Sequence, residues 1–150
     1  MVRQPAMAGT FYPANTAMLR QTITELLKSS VASERPKALI APHAGYVYSG
    51  PVAGQAYAQL VTHAEIIRRV ILLGPVHRVP VRGLALPKAD RFATPLGEVP
   101  VDQEAIRRLA GMPQVVVNEV AHEFEHSLEV QLPFLQSVLH DFSLVPLVVG

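Results

Sequence analysis

The sequence has 150 residues, of which 49% are hydrophobic, and its formal net charge is +1. This length and composition support a single domain with a substantial core, and the scattered charges exclude the electrostatic attraction that draws nucleic acid or anionic membranes. No apolar stretch is long enough to span a bilayer and the N-terminus lacks a signal-peptide hydrophobic region, so we expect a cytoplasmic location and neither nucleic acid nor membrane as partner.

Local patterns in the first half predict two helices and two strands. Asn15 is predicted to cap a helix over residues 15–29, because Leu and Ile recur behind it at helical spacing. A short apolar run predicts a strand over residues 37–41. Serine and an early proline predict a second helix over residues 49–62. The next apolar run predicts a strand over residues 69–73.

The second half is predicted to continue the alternation. Its predicted elements are a mostly irregular segment over residues 76–97 with a short strand at 84–86, a helix over 102–110 capped by Asp102, a strand over 114–118, a long helix over 123–140 and an apolar strand over 143–150. Alternating strands and helices of this kind predict an α/β three-layer sandwich, with a mostly parallel central sheet flanked by helices.

Two histidines follow apolar runs that end at proline. His43 follows the run over residues 38–42, and His77 follows the run over residues 70–75. Ligand sites in open α/β sheets lie outside the carboxyl ends of the strands, so we expect both imidazoles to face one crevice and to bind a metal ion. The chain has no cysteine, which leaves histidine and carboxylate ligands and favours iron, copper or zinc.

The segment His122–His126 satisfies the H-E-x-x-H pattern of zinc proteases. Against that interpretation, no histidine follows at the spacing that would give a third ligand, and Pro133 lies where a continuous ligand helix would run. A zinc protease is therefore the least favoured function. The competing interpretation is the start of a helix with acidic residues in its first turn.

Five segments resemble the Memo family, also called protein B of the AmmeMemoRadiSam system, which in turn resembles class III extradiol dioxygenases of LigB type. The segments are Arg3–Pro13, Ala41–Gly50, Ile71–His77, Thr94–Gly97 and Glu125–Pro133. The family's chains are longer than this one, so residues 1–150 are expected to be the N-terminal part of a single Memo-like domain, incomplete at its C-terminus.

The resemblance also assigns roles to residues. It implies that His43 and His77 are metal ligands, and that a third ligand, a cysteine or carboxylate, comes from outside these residues. Glu125 and His126 are expected to orient a ligand histidine through its other ring nitrogen. Apart from the resemblance, Tyr46 and Tyr48 follow His43 and Arg78 follows His77, where a phenol or a guanidinium can reach a bound ligand. His126 and Tyr46 are the candidates for a catalytic role, and Arg78 and Tyr48 are the candidates for substrate binding.

Alternative functions follow from this resemblance. One is a metal-dependent oxidoreductase of dioxygenase type, with one divalent or redox metal ion, iron first and copper or zinc second. The other is a non-catalytic module of Memo type that binds a phosphopeptide or another anion. The expected ligand is a small molecule or peptide. Radical SAM and AMMECR-type proteins are expected partners by family analogy, and a homo-oligomer is also expected.

Overall fold

The computed structural model describes residues 1–28 and 34–150. The described residues form seven strands, five helices and two short 3-10 turns. The elements are β1 (Val2–Arg3), α1 (Thr16–Leu26), α2 (Tyr46–Ala58), a turn at Val61–His63, β2 (Arg69–Pro75), β3 (Leu84–Leu86), β4 (Arg91–Thr94), β5 (Gly97–Pro100), α3 (Gln103–Leu109), β6 (Val115–Val117), α4 (Val120–Glu123), a turn at Glu129–Gln131, α5 (Leu132–Val138) and β7 (Ser143–Val149).

The larger sheet has the order β2-β7-β3-β6. Strands β2 and β7 run parallel over seven residue pairs, and β3 and β6 run parallel, whereas β3 and β7 are antiparallel. The sheet is therefore mixed, and the prediction of a mostly parallel sheet is wrong. Residues 76–83 join β2 to β3 without a helix. A link that short reverses the strand direction, because a parallel connection needs a crossover of roughly a dozen residues or more.

A second sheet has the order β1-β4-β5. Strands β4 and β5 form a hairpin that pairs Thr94 with Gly97, and Gly97 has a φ of 126°, a backbone conformation that favours glycine. Part of this hairpin lies in the segment predicted to be mostly irregular, so that prediction missed β4. Phe92 on β4 is 1% exposed and joins the main core.

Helices cover both faces of the larger sheet. Helices α1, α2 and α5 contribute to the main core with Leu144 of β7, and α3 contributes to a smaller cluster with Val145 and Leu147. Alternate β7 residues thus face opposite helical layers, as a three-layer α/β sandwich requires. Within the described residues, no helix has both the length and the apolar character needed to cross a membrane.

Capping side chains set two of the helix starts as predicted. Asn15 accepts a hydrogen bond from the Met18 N–H, and Asp102 accepts one from the Ala105 N–H. Helix α2 begins at Tyr46, three residues before the predicted start, because the Tyr46 N–H bonds to the Phe11 carbonyl at 2.8 Å. The first helix ends at Leu26, before its predicted end at residue 29, which lies outside the described residues.

Two other predicted elements do not form. The predicted helix over residues 123–140 is wrong: α4 ends at Glu123, and α5 begins only at Leu132, just before Pro133. Residues 37–41 form no strand, since no described residue pairs with their backbone as a neighbouring strand would. Ile40 within that segment is 98% exposed. An apolar run indicates a strand, but a strand exists only where a neighbour accepts its hydrogen bonds.

A buried carboxylate anchors the N-terminal segment to the core. Glu129 is fully buried and accepts hydrogen bonds from the N–H groups of Ala6 and Met7 at 3.0 and 2.8 Å and from the Tyr12 hydroxyl at 2.5 Å. Its fourth partner is the Arg3 guanidinium, which is 4% exposed and shares an oxygen with the Ala6 N–H. A buried charge needs this degree of compensation. The contact fixes the segment that carries Phe11 beside the histidines described below.

Candidate metal centre

His77 lies two residues beyond the end of β2. The strand is held to β7 as far as Val76, whose N–H donates to the Val149 carbonyl at 2.8 Å. The His77 side chain is 37% exposed. Strand β2 therefore delivers a partly accessible imidazole to the carboxyl end of the sheet.

His43 lies in the irregular segment that leads into α2. Its neighbour Pro42 accepts a hydrogen bond from the Gln131 side chain at 3.1 Å, and Gly45 caps the helix. The centroids of the His43 and His77 rings are 5.3 Å apart. The two histidines that the sequence pairs thus lie side by side, although the segment before His43 is not a strand.

His126 completes a group of three imidazoles. Its ring stacks on His77 with centroids 4.4 Å apart and lies 5.8 Å from the His43 ring and 4.7 Å from the Phe11 ring. One nitrogen from each of the three histidines lies within 4.8 Å of the other two. His126 was expected to orient a ligand histidine or to act in catalysis, and its ring lies beside the other two. Its sequence signals were its position in a segment that resembles the family and its place in the H-E-x-x-H pattern.

Glu125 connects the loop of His126 to His77. One carboxylate oxygen accepts hydrogen bonds from the His77 Nδ1 at 2.8 Å and from the His126 and Ser127 N–H groups at 2.8 and 2.9 Å. The other accepts from the His77 N–H at 2.6 Å. Burial raises the pKa of Glu125, but the hydrogen bonds from Ser127 and His77 outweigh it and lower the pKa to about 2.

A serine ties the same loop to the end of β2. The Ser127 hydroxyl donates to the Pro75 carbonyl at 2.9 Å, and Ser127 also lies against Gly74. A Cβ atom at Gly74 would come within 2.6 Å of the Ser127 hydroxyl oxygen. The absence of a side chain at Gly74 therefore permits the contact that places Glu125 and His126 over the strand end.

The environment of His126 favours its neutral form. Burial lowers the pKa of His126, and the nearby charges of His77, His43 and Arg78 act in the same direction, while Glu125 opposes them. A neutral imidazole has a nitrogen lone pair that can bind a metal ion, and a protonated one does not. The electrostatics at His126 thus suit metal binding near neutral pH.

The remaining predicted site residues lie in different environments. Tyr46 is 6% exposed and donates its hydroxyl to the Val130 carbonyl at 2.6 Å, and burial raises its pKa. Tyr48 is 84% exposed on the first turn of α2. Arg78 is exposed and close enough to affect the pKa of His126. A catalytic role for Tyr46 and substrate-binding roles for Tyr48 and Arg78 stay predictions.

The H-E-x-x-H segment does not present its two histidines on one helix. Helix α4 ends at Glu123, between them. His122 is 1% exposed, and its Nε2 lies 2.9 Å from the Ala85 carbonyl oxygen. Burial lowers its pKa to about 4. His122 is thus a core residue, and this segment offers no zincin site.

Comparison with known proteins identifies the family of this chain. Residues 3–150 match the family model described as "Memo-like protein". A "MEMO1 family protein" from Aquifex aeolicus is 41% identical over 99% of this chain, which covers 55% of that relative. Another from Archaeoglobus fulgidus is 43% identical over 99% of this chain, which covers 54% of it. The chain therefore spans about half the length of these relatives, and it belongs to the Memo-like family.

Proposed function

We propose that His43, His77 and His126 bind one divalent or redox-active metal ion, with iron as the first candidate and copper or zinc as the next. The observation that carries this proposal is the approach of three imidazole nitrogens to within 4.8 Å of one another. Three nitrogens spaced equally about 2.1 Å from one ion lie at most about 3.6 Å from one another. Side-chain shifts of under about 1 Å are enough to bring all three onto one ion.

The donor set fits a transition metal. Imidazole suits iron, copper and zinc, whereas calcium and magnesium need oxygen ligands. At neutral pH the Glu125 carboxylate is ionised, because its pKa is about 2, and it accepts hydrogen bonds only. The His77 Nδ1 beside it therefore carries the proton, and the Nε2 lone pair is left for the metal. Glu125 thus fixes the ring orientation and tautomer of His77.

The function that this centre supports best is that of a metal-dependent oxidoreductase of dioxygenase type. A metal ion bound by three histidines has open positions at which oxygen or a substrate can bind. His43 and His126 would bind the metal ion together with His77. The Phe11 ring packs 4.7 Å from the His126 ring and limits the movement of that ligand. Of the three imidazole rings, that of His77 is the most exposed, so a ligand would approach the centre from its side.

Metal content tests the proposal. Protein purified anaerobically without chelator is expected to contain about one metal ion per chain by ICP mass spectrometry. His77→Ala and His126→Ala are each expected to be purified with much less metal, because each keeps only two of the three imidazoles. His140→Ala is the matched control, because His140 is 66% exposed and contacts Glu65 rather than the three-histidine centre. Folded wild-type protein that takes up no iron, copper or zinc would contradict the proposal.

One observation favours the second candidate, a module that binds a phosphopeptide or another anion. Arg78 directly follows His77 and is exposed, and its charge lowers the pKa of His126, so the chain places a guanidinium beside the centre. Arginine binds phosphate through paired hydrogen bonds. A phosphotyrosine peptide and its unphosphorylated form, compared by calorimetry on wild type and Arg78→Gln, test this candidate. Equal binding of the two peptides would contradict this second candidate. The protein partners expected from the family stay predictions.

A further inference from the structure

The direction of the backbone groups of β2 follows from its pairing with β7. At one end of the pair, the Ser143 N–H donates to the Arg68 carbonyl at 3.0 Å; at the other, the Val76 N–H donates to the Val149 carbonyl at 2.8 Å. In a strand, the backbone groups of alternate residues point to opposite neighbours. Even-numbered residues of β2 therefore bond to β7, and odd-numbered residues point away from it.

The edge of β2 away from β7 has no neighbouring strand among the described residues. The backbone N–H and C=O groups of Arg69, Ile71 and Leu73 point to this edge. The side chains of Ile71 and Leu73 are 61% and 56% exposed. A seven-residue strand with an exposed apolar face and unpaired backbone groups is a template for pairing with another strand. The opposite edge strand, β6, has only three residues.

A groove lies along this edge. It has a volume of about 620 Å³ and runs between β2 and residues 35–39, with Tyr57, Leu60 and Leu135 among the apolar residues that line it. The wall opposite β2 overlaps residues 37–41, which the sequence predicts to be a strand. Two segments with strand-like sequences thus flank one groove, and neither has a partner on the groove side among residues 1–28 and 34–150.

The relatives supply the polypeptide that would fill this groove. The Aquifex aeolicus and Archaeoglobus fulgidus proteins are matched over 55% and 54% of their lengths, so each carries almost as much chain again. The groove lies between two walls, so a single strand can enter it. A second copy of this chain is a less suitable occupant, because its own residues 35–39 lie beside its β2 and would enter the groove with that strand.

We propose that this groove is a strand-docking site, filled by a β-strand from the part of the family's polypeptide that this chain does not match. The incoming strand pairs with the backbone of Arg69, Ile71 and Leu73, covers the apolar groove and brings residues 37–41 into the sheet. None of the described residues that line the groove is acidic. Four are basic, namely Arg35 and Lys37 on one wall, and Arg68 and Arg69, which form ion pairs with Asp141 and Asp102. The docking strand is therefore expected to carry acidic residues at the end that lies beside Arg35 and Lys37. Metal binding does not enter this proposal, so the two can fail separately.

The test uses the unmatched part of the Aquifex aeolicus relative in two formats. It is co-expressed with this chain as a separate polypeptide, and it is also fused to residues 1–150. Amide hydrogen exchange is measured at Ile71 and Leu73. Both amides are expected to exchange at least tenfold more slowly in the complex and in the fusion than in the chain alone.

Variants identify the surface. Ile71→Lys places a charge on the face to be covered and is expected to weaken association at least tenfold. Met18→Lys is the matched control, since Met18 is 60% exposed on α1 and does not line the groove. Unchanged exchange at both amides in both formats would overturn the proposal. So would protection in the chain alone that rises with protein concentration, because that result would identify a second copy as the occupant.

Discussion

Replacing Glu125 by glutamine tests how the centre is held together. The carboxylate accepts four hydrogen bonds, three on one oxygen and one, from the His77 N–H at 2.6 Å, on the other. An amide can keep its oxygen at the first position, but its NH₂ group then faces the His77 N–H, so two donors oppose each other. The side chain is 2% exposed, and water cannot relieve this conflict.

The size of the effect follows from the pKa. The pKa of Glu125 is lowered from 4.5 to about 2, and at about 1.4 kcal/mol per unit the folded state stabilises the ionised carboxylate by about 3 kcal/mol. Glu125→Gln is therefore expected to lower the free energy of unfolding by about 3 kcal/mol and Tm by about 6–12 °C. Because Glu125 orients a ligand, metal affinity is expected to fall by about 10- to 100-fold.

Urea unfolding and metal titration measure both effects, with Glu123→Gln as the exposed control on the same loop. The folded pKa lies below the unfolded one, so the stabilisation by Glu125 is complete above about pH 4.5 and is lost as pH falls towards 2. The stability difference between wild type and Glu125→Gln should shrink over that range. If Glu125→Gln matched Glu123→Gln in stability and metal affinity, the reasoning would be refuted.

Three further predictions concern the support of the site. Arg3→Met leaves the Glu129 carboxylate buried without its cation and is expected to lower the free energy of unfolding by about 3–5 kcal/mol. The double variant Arg3→Met with Glu129→Met is expected to lose less than the sum of the two single losses, and additive losses in urea unfolding would contradict the pairing. Burial lowers the pKa of His122 to about 4, so stability should fall as pH drops from about 6.5 to 4, and His122→Gln should flatten that dependence in thermal melts. Gly74→Ala pushes on Ser127 and is expected to reduce both Tm and metal content; a variant with wild-type metal content would show that the loop tolerates the shift.

Local signals predicted the elements whose cause is local. The Asn15 and Asp102 caps form as expected because each side chain bonds to a backbone N–H three residues later. Strands β2 and β6 lie within one or two residues of their predicted bounds. The fold class followed from the predicted alternation of strands and helices.

Features that depend on distant contacts were not predictable. Glu129 looks like an exposed residue of a helical stripe, and only Arg3, 126 positions away, and the N-terminal amides explain its burial. The mixed sheet arises because β3 reverses direction after β2, which hydrophobic periodicity does not encode. Residues 37–41 have the composition of a strand, but the strand that would pair with them is absent from the described residues.

The candidate site combines both kinds of information. The matched positions of His43 and His77 after apolar runs led to the expectation of a shared crevice, and their ring centroids are 5.3 Å apart. The place of His126 depends on the loop that Glu125 and Ser127 fasten to the end of β2, and no spacing along the chain reveals that contact.

X-ray absorption spectroscopy at the edge of the bound metal tests the three-histidine centre most directly. The measurement compares wild type, His126→Ala and the His140→Ala control, each loaded with iron. Scattering from three imidazoles is expected in wild type and in the control, and from two in His126→Ala. Two imidazoles in wild type, unchanged in His126→Ala, would show that His126 is not a ligand and that the three-histidine centre does not form.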